Sequence, residues 1–479
     1  MKLRHAEKGA FMTFDVVVIG GGPGGYVCAI KSAQLGLSVA IIDKKESLGG
    51  TCLNKGCIPT KTMLQSAKVK HLIESSSEFG VNSSVASINF DKIIERSRKI
   101  ISGLNRGVEA LLMKNKITLV EGIAKFKDES TLTIEKNGQF SEVKGKNIVI
   151  STGAIPKLIP EIEQSVLESG LIWTSKEAIF PSFLPKKLLI VGSGAIGIEL
   201  ASFYNLIGSE VTVVEVMDRI LIQEDEEVAN AAFKSFTKQG INIKTGVRLQ
   251  NFKKEAGKVY VELTEKDSKT AKEFFDVVVL AVGVSPNVKD LGLDKIGIQA
   301  KQNGTIETDE FCETNVKGIY AIGDVIAPPW LAHKASREGI VVAEKMAKQT
   351  ETTPINIAMI PSCTYSYPQI ASIGLSEEKA RNSGEGIKIG RSHFRGNGKA
   401  IIAGEPEGFV KVIFNEKTGE LLGAHMFGSE VTELIPFFSL AIAGELTERE
   451  LMAAIFPHPT LSECLQEAVY DAFEIAIHG

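Results

Sequence analysis

Asp15-Val16-Val17-Val18-Ile19-Gly20-Gly21-Gly22-Pro23-Gly24-Gly25 decides the fold of this chain. The continuous apolar run predicts a strand buried on both faces, and the glycines after it fit G-x-G-x-x-G, the turn that leads such a strand into a helix. Gly192-Ser193-Gly194-Ala195-Ile196-Gly197 fits the same pattern after a second apolar run. The offset is 172 (192 − 20), and it also carries Ala29 to Ala201, Gly36 to Gly208, and the acidic strand end Asp43 to Glu215. A lone motif of this kind is weak. Two copies, each with an acid 23 residues past the first glycine (43 − 20 and 215 − 192), are a strong signal for two dinucleotide-binding folds. In each copy the first glycine (Gly20, Gly192) permits the tight turn. The second (Gly22, Gly194) lets a pyrophosphate approach the backbone, and the third (Gly25, Gly197) lets helix and strand pack closely. The diphosphate would sit on the positive helix end, at Ala195 and Ile196 in the second copy, with Asp43 and Glu215 accepting from the ribose hydroxyls.

Nine residues past Asp43 begins Cys52-Leu53-Asn54-Lys55-Gly56-Cys57, inside a stretch running from Gly49, Gly50 and Thr51 to Lys61. The first nucleotide fold therefore delivers two thiols to its own ligand. A flavin reacts with a thiolate and also exchanges hydride with a nicotinamide, which assigns FAD to the first fold and NAD or NADP to the second. Glu215 favours NAD, because a carboxylate pairs with a free 2′-hydroxyl and repels a 2′-phosphate. Five residues of straight α-helix rise about 7.5 Å, beyond the roughly 4.4 to 6.8 Å between Cα atoms that a disulfide allows, so the segment must bend. Gly56 can supply the bend, and Ile58-Pro59-Thr60 can start a helix whose N-terminus favours a thiolate at Cys57. Zinc binding lacks partner ligands nearby, so no metal is expected; two unpaired core thiols remain the bland alternative.

The rest of the composition agrees with an enzyme of this size. At 479 residues the chain holds about three domains. Lys plus Arg number 54 against 58 Asp plus Glu, leaving no electrostatic footprint for nucleic acid. Hydrophobic residues at 44% and charged residues at 23% are ordinary for a globular protein, and no apolar run is long enough to span a bilayer. Six cysteines are too few for a secreted disulfide framework, so a reducing, cytoplasmic setting is expected. Residues 1–13 read as a frayed extension.

From Phe14 to the C-terminus the residues resemble the pyridine nucleotide-disulfide oxidoreductases. The markers are Gly49 to Lys61, Ser151-Thr152-Gly153-Ala154, the second glycine motif ending in Glu199, Ala281-Val282-Gly283, Gly318 to Asp324, Leu331-Ala332-His333-Lys334-Ala335 and His458-Pro459-Thr460-Leu461-Ser462-Glu463. The resemblance implies an α/β fold with two Rossmann-like domains and an α+β C-terminal dimerisation domain. FAD would occupy residues 1–155, NAD 156–283, with a central part at 284–354 and the interface domain at 355–479. It implies oxidation of dihydrolipoyl groups, NAD being the final acceptor, in a homodimer that serves the lipoyl domain of a 2-oxoacid dehydrogenase or glycine-cleavage complex. A glutathione reductase-like enzyme and a non-catalytic flavoprotein subunit are the alternatives.

By the same resemblance Cys52 would meet the substrate and Cys57 the flavin. Lys61, paired with Glu199, would sit near the reactive flavin nitrogen. Gly50, Thr51, Thr152 and Gly153 would line the FAD site, Asp324 would bind the ribityl chain, and Ala124 and Ala332 would touch the flavin through their backbones. Val247 and Gly283 would belong to the NAD site. His458 would be the acid/base and Glu463 would fix its ring, both supplied by the partner subunit. Competing readings stay open: Glu463 could close a capping box with Thr460, and Lys61 and Glu199 could be a surface ion pair. His333 reads as structural, and Arg391 with Arg395 as a solvated face. Two positions depart from the family pattern, Val284 where arginine is usual and Phe456 where a second histidine is usual.

Overall fold

A computed structural model describes residues 4–5, 12–44, 48–85, 87–266 and 269–478. It divides into two compact units, each assembled from three separate segments. The first comprises Met1–Thr62, Asp91–Lys157 and Val284–Ile355; the second comprises Met63–Phe90, Leu158–Gly283 and Asn356–Gly479.

The first unit is built on an eight-stranded sheet. Its spatial order is Arg4–His5, Thr118–Val120, Val39–Ile42, Met12–Ile19, Gln139–Ile150, Thr131–Lys136 and Ile123–Phe126, with Ile319–Ala321 also paired to Gln139–Ile150. The run that opens the fold is covered on both faces, since Val16, Val17 and Val18 are fully buried and Ile19 nearly so. It lies parallel to Val39–Ile42 on one side and to Gln139–Ile150 on the other. Its strand begins at Met12, and Arg4–His5 pairs with Thr118 and Leu119, so the N-terminal stretch is not simply frayed. A strand of two residues is enough to add an edge beside Thr118–Val120. The remaining residues of that extension lie outside the described ones.

The second unit contains a parallel sheet in the order Asn242–Thr245, Glu210–Glu215, Lys187–Val191, Val277–Leu280 and Ile172–Thr174. The meander Arg248–Glu255, Lys258–Thr264 and Thr270–Phe275 forms a separate antiparallel sheet. Its C-terminal part is a five-stranded antiparallel sheet in which Gln369–Gly374 and Gly408–Asn415 flank Leu421–Gly428. Helix Glu463–Ala472 lies so close to strand Ile387–His393 that a Cβ on Gly390 would fall 1.9 Å from the Ala468 carbonyl. That contact places the start of the helix, and with it Glu463, on a rigid base.

Candidate functional site

The repeat has the same geometry in both copies. Gly20 and Gly192 have φ of 102° and 101°, in the left-handed region that favours glycine. A Cβ on Gly25 would lie 1.9 Å from the Gly20 carbonyl oxygen, and one on Gly197 2.0 Å from that of Gly192, so neither site admits a side chain. Asp43 accepts from the Gly21 N–H at 2.6 Å, and Glu215 accepts from the Ser193 N–H at 3.0 Å and the Ser193 hydroxyl at 2.7 Å. Each acid thus holds the second residue of its own glycine loop, a tie that its spacing alone did not reveal.

The middle glycines are different: no protein atom requires them. A Cβ on Gly194 would meet nothing within 4 Å, and one on Gly22 only Gly50 Cα at 3.8 Å. Both are N-caps without side-chain capping, to helices Pro23–Gln34 and Ala195–Ile207. Open backbone N–H groups at the positive end of a helix, cleared of side chains, fit a diphosphate. These residues therefore suit FAD in the first unit and NAD in the second.

In the first unit, Gly50 (φ 64°) packs against Gly22 and begins the short helix Gly50–Lys55, on which Thr51 is exposed. That helix stops at Gly56, and a new one runs Cys57–Glu74. The bend expected between the two cysteines is there. A Cβ on Gly56 would stand 3.1 Å from the Thr51 carbonyl and 3.3 Å from Cys52 Cα, so glycine lets the break close tightly. The thiols of Cys52 and Cys57 are hydrogen-bonded, and both are half-buried. That bond raises Cys52 most, followed by burial and by the negative charge on Cys57, while Lys61 acts in the opposite sense. Cys52 is thus raised, and Cys57 stands in the first turn of an 18-residue helix, whose N-terminus favours a thiolate. Asn54 anchors the dithiol helix through the carbonyls of Leu48 (3.0 Å) and Gly50 (2.9 Å), and Asn105 donates to Asn54 at 2.8 Å. Neither asparagine lies in a spacing pattern, so the sequence offered no signal for them.

The other residues assigned to FAD lie in the same unit. Thr152 donates to the Asn287 carbonyl at 2.6 Å and Gly153 (φ 69°) has open space where a Cβ would stand. Ala124 is buried on strand Ile123–Phe126. Ala332 opens helix Ala332–Met346, on which His333 is exposed, and Asp324 sits in the turn Gly323–Val325, raised by burial against the pull of Lys334. Val284, at the usual arginine position, pairs with Pro156 in a two-stranded ribbon.

In the second unit, Val247 is buried beside a cavity of about 350 Å³ lined by Lys244, Thr245, Glu265 and Lys266, and its N–H donates to the Glu215 carbonyl at 3.0 Å. Gly283 has φ 97° and open space around it. Glu199 is buried on helix Ala195–Ile207 and accepts from the Tyr365 N–H at 2.9 Å.

His458 and Glu463 come together. Nδ1 of His458 lies 2.9 Å from Glu463 Oε1, while Oε2 accepts from the Thr460 N–H at 2.8 Å. The carboxylate orients the ring with one oxygen and holds the Thr460 N–H with the other, but the helix starts at Glu463 with Ser462 as its N-cap and no side-chain cap, so the capping box with Thr460 does not form. Burial pushes Glu463 upward, but the Thr460 N–H and the His458 ring outweigh it and leave the acid lowered. The His458 side chain is 78% exposed, open to a reactant. Phe456 packs on Phe437 with ring centroids 5.3 Å apart, so the departure there serves the core. Arg391 corrects the reading of a solvated face. It is half-buried and reaches Glu227 at 2.9 Å and Glu377 at 3.4 Å, ion pairs drawn from sequence-distant segments; Arg395 is exposed as expected.

Comparison with known proteins points the same way. Residues 14–339 match the pyridine nucleotide-disulphide oxidoreductase family and residues 360–469 its dimerisation domain. A dihydrolipoyl dehydrogenase of Zymomonas mobilis subsp. mobilis is 46% identical over 466 residues, covering 97% of this chain and 99% of that one. The dihydrolipoyl dehydrogenase of Rhizobium etli is 46% identical over 477 residues, covering 96% and 98%. Among solved structures, the HOCl-induced flavoprotein disulfide reductase RclA from Escherichia coli superposes with a TM-score of 0.83 at 25% identity, over 95% of this chain and 99% of that one. Among the described residues no helix is long and apolar enough to cross a membrane.

Proposed function

The chain belongs to the pyridine nucleotide-disulphide oxidoreductase family, and from that premise we propose that it oxidises dihydrolipoyl groups with NAD as the final acceptor. It is an FAD-dependent, NAD-linked disulfide oxidoreductase with a dimerisation domain. The observation that carries the reading is the hydrogen-bonded Cys52–Cys57 pair, set in a glycine-lined dinucleotide fold with Cys57 at the start of an 18-residue helix.

In the oxidised enzyme Cys52 and Cys57 share a disulfide. His458 removes a proton from one substrate thiol, and the resulting thiolate attacks Cys52 sulfur, forming a mixed disulfide and releasing Cys57 as thiolate. The second substrate thiol then attacks the substrate's first sulfur in that mixed disulfide, closing the lipoyl ring and freeing Cys52, whose departing sulfur takes the proton. Two electrons now rest on the dithiol. FAD and NAD, when bound, supply the acceptors that take those electrons from the thiolate and carry them away as NADH. Cys57, favoured as an anion by its helix N-terminus, is the sulfur suited to that transfer, and Cys52 is suited to exchange. Lys61 supplies positive charge that lowers Cys52. Glu463 holds the His458 ring ready to accept the proton on its other nitrogen.

In this reading the protein is a homodimer in which His458 and Glu463 serve the dithiol of the partner subunit. The high exposure of His458 in a single chain supports this, because the ring is left to be covered by a second copy. The physiological partner is a lipoyl domain of a 2-oxoacid dehydrogenase or glycine-cleavage complex. Glu215 favours NAD(H), since both its oxygens already accept hydrogen bonds from the chain and a phosphate brought beside them would be repelled. Steady-state oxidation of dihydrolipoamide, set against reduction of glutathione disulfide with each nicotinamide cofactor, tests the reading. Fast NAD-dependent turnover of dihydrolipoamide is expected; preference for glutathione with NADPH would overturn it.

A further inference from the structure

Helix Ala332–Met346 carries two charged side chains into the core of the first unit, Lys334 at 4% and Glu338 at 2% exposure. The Lys334 ammonium lies 2.5 Å from Glu338 Oε1 and donates to the Ala327 carbonyl at 3.1 Å. The other Glu338 oxygen accepts from the Gly323 N–H at 2.7 Å. Gly323 opens the turn Gly323–Val325 with φ 74°, and the next residue is Asp324. The helix that carries the pair is itself firmly placed. A Cβ on Gly339 would fall 2.5 Å from the Gly24 carbonyl, so helices Ala332–Met346 and Pro23–Gln34 touch backbone to backbone.

A buried ion pair is a poor way to stabilise a fold, because desolvation offsets most of the attraction and an apolar pair of similar volume does as well or better. What an apolar pair cannot do is accept the Gly323 N–H. We propose that Lys334 and Glu338 are positioning residues for the flavin: Glu338 pins the turn that presents Asp324, and Lys334 holds that buried carboxylate in place through their ion pair. Lys334 also acts on Asp324 itself, so one cation serves two carboxylates in this turn. The inference rests on the reading of Asp324 as a ribityl contact, and the test separates the two.

The double variant Lys334→Met/Glu338→Leu, made in the full chain and loaded with FAD, removes the pair without leaving a lone buried charge. The thermal unfolding midpoint in excess FAD should fall only by what one unpaired buried N–H costs, with the chain still folded. Release of FAD on dilution, followed by the recovery of flavin fluorescence, should be faster by about tenfold or more, the worth of one hydrogen bond to a charged group. Parent-like release would overturn the proposal. Should the double variant not fold, Glu338→Gln keeps an oxygen for Gly323 while Glu338→Ala does not. Slower release from the glutamine variant is expected, and equal release from both overturns the idea. Asp324→Asn goes through the same assay. Parent-like release there removes the ribityl reading and the proposal with it, whereas fast release from Asp324→Asn with parent-like release from the double variant removes the positioning role alone.

Discussion

Glu463 shows how one side chain can hold two groups at once, with Oε1 on the His458 ring and Oε2 on the Thr460 N–H. Glutamine in its place can still accept from Thr460 through one oxygen, but offers no negative charge to a protonated ring. Glu463→Gln should therefore lower kcat by roughly 10²- to 10⁴-fold, the range seen when the acid behind a catalytic histidine is neutralised, with FAD content unchanged. Stopped-flow reduction of the enzyme by dihydrolipoamide measures this, and a loss of less than twofold would leave the acid only its hold on the Thr460 N–H. The cysteines divide in a similar way. Since a helix N-terminus favours a thiolate at Cys57, Cys52→Ser should abolish turnover yet keep a thiolate for the flavin, visible as long-wavelength absorbance. Cys57→Ser should lose both; equal spectra from the two variants would contradict the assignment. The dithiol was legible in the sequence from its place just past the first nucleotide fold, whereas the roles of His458 and Glu463 came from the resemblance to the family. Arg391 was misread because its partners, Glu227 and Glu377, lie 164 and 14 residues away and nothing local announces them.

At the scale of elements, the two nucleotide loops were readable almost atom for atom, since their constraint is local: a turn that closes on its own carbonyl within six residues. Gly197→Ala puts a methyl group 2.0 Å from the Gly192 carbonyl oxygen and must push the helix start away from its strand. It should abolish NADH binding, measured by titration of nicotinamide fluorescence, while the flavin spectrum stays intact. Retained NADH affinity would mean that the second copy of the motif holds no dinucleotide. The dithiol bend was equally legible, because helix rise and disulfide reach conflict over five residues and only Gly56 could resolve them. What escaped were supports reached through space. Asn105 grips Asn54 across 51 residues, and Glu338 reaches Gly323 from the next helix. Side-chain hydrogen bonds of that kind leave no period and no spacing in a single chain.

At the scale of the molecule, each unit is stitched from three segments, so each depends on contacts between distant parts of the chain. In the second unit some of the long-range stitches are charged. Lys411, 1% exposed, meets Glu377 at 2.7 Å, Asp225 at 2.9 Å and Glu227 at 3.1 Å. Removing the cation alone leaves three carboxylates facing one another, so Lys411→Met should destabilise this unit by about 3–5 kcal/mol. The same cluster sets its acid sensitivity. Burial would raise Asp225, Glu227 and Glu377, but their bonds to Lys411 and Arg391 and the Glu377 N–H outweigh it and leave all three lowered. Groups lowered on folding stabilise above their unfolded pKa of about 4 and lose that stability as pH falls. His425 adds a second, earlier step. It is buried, its Nε2 lies 2.8 Å from the Leu375 carbonyl, and its Nδ1 has no hydrogen-bond partner, so burial lowers its pKa despite nearby Asp225. Lys411 and Lys379 oppose its protonation as well. A lowered histidine contributes stability in full above its unfolded pKa of about 6.5 and loses it as pH falls below that value. The chain has two tryptophans, Trp173 in this unit and Trp330 in the other, so Trp330→Phe leaves a reporter for this unit alone. In that background the urea midpoint should fall in two stages, one beginning just below pH 6.5 and one near pH 4. His425→Gln keeps a donor for the Leu375 carbonyl but does not titrate, so it should erase the first stage and spare the second. An unchanged first stage would place the acid-sensitive proton elsewhere in the unit.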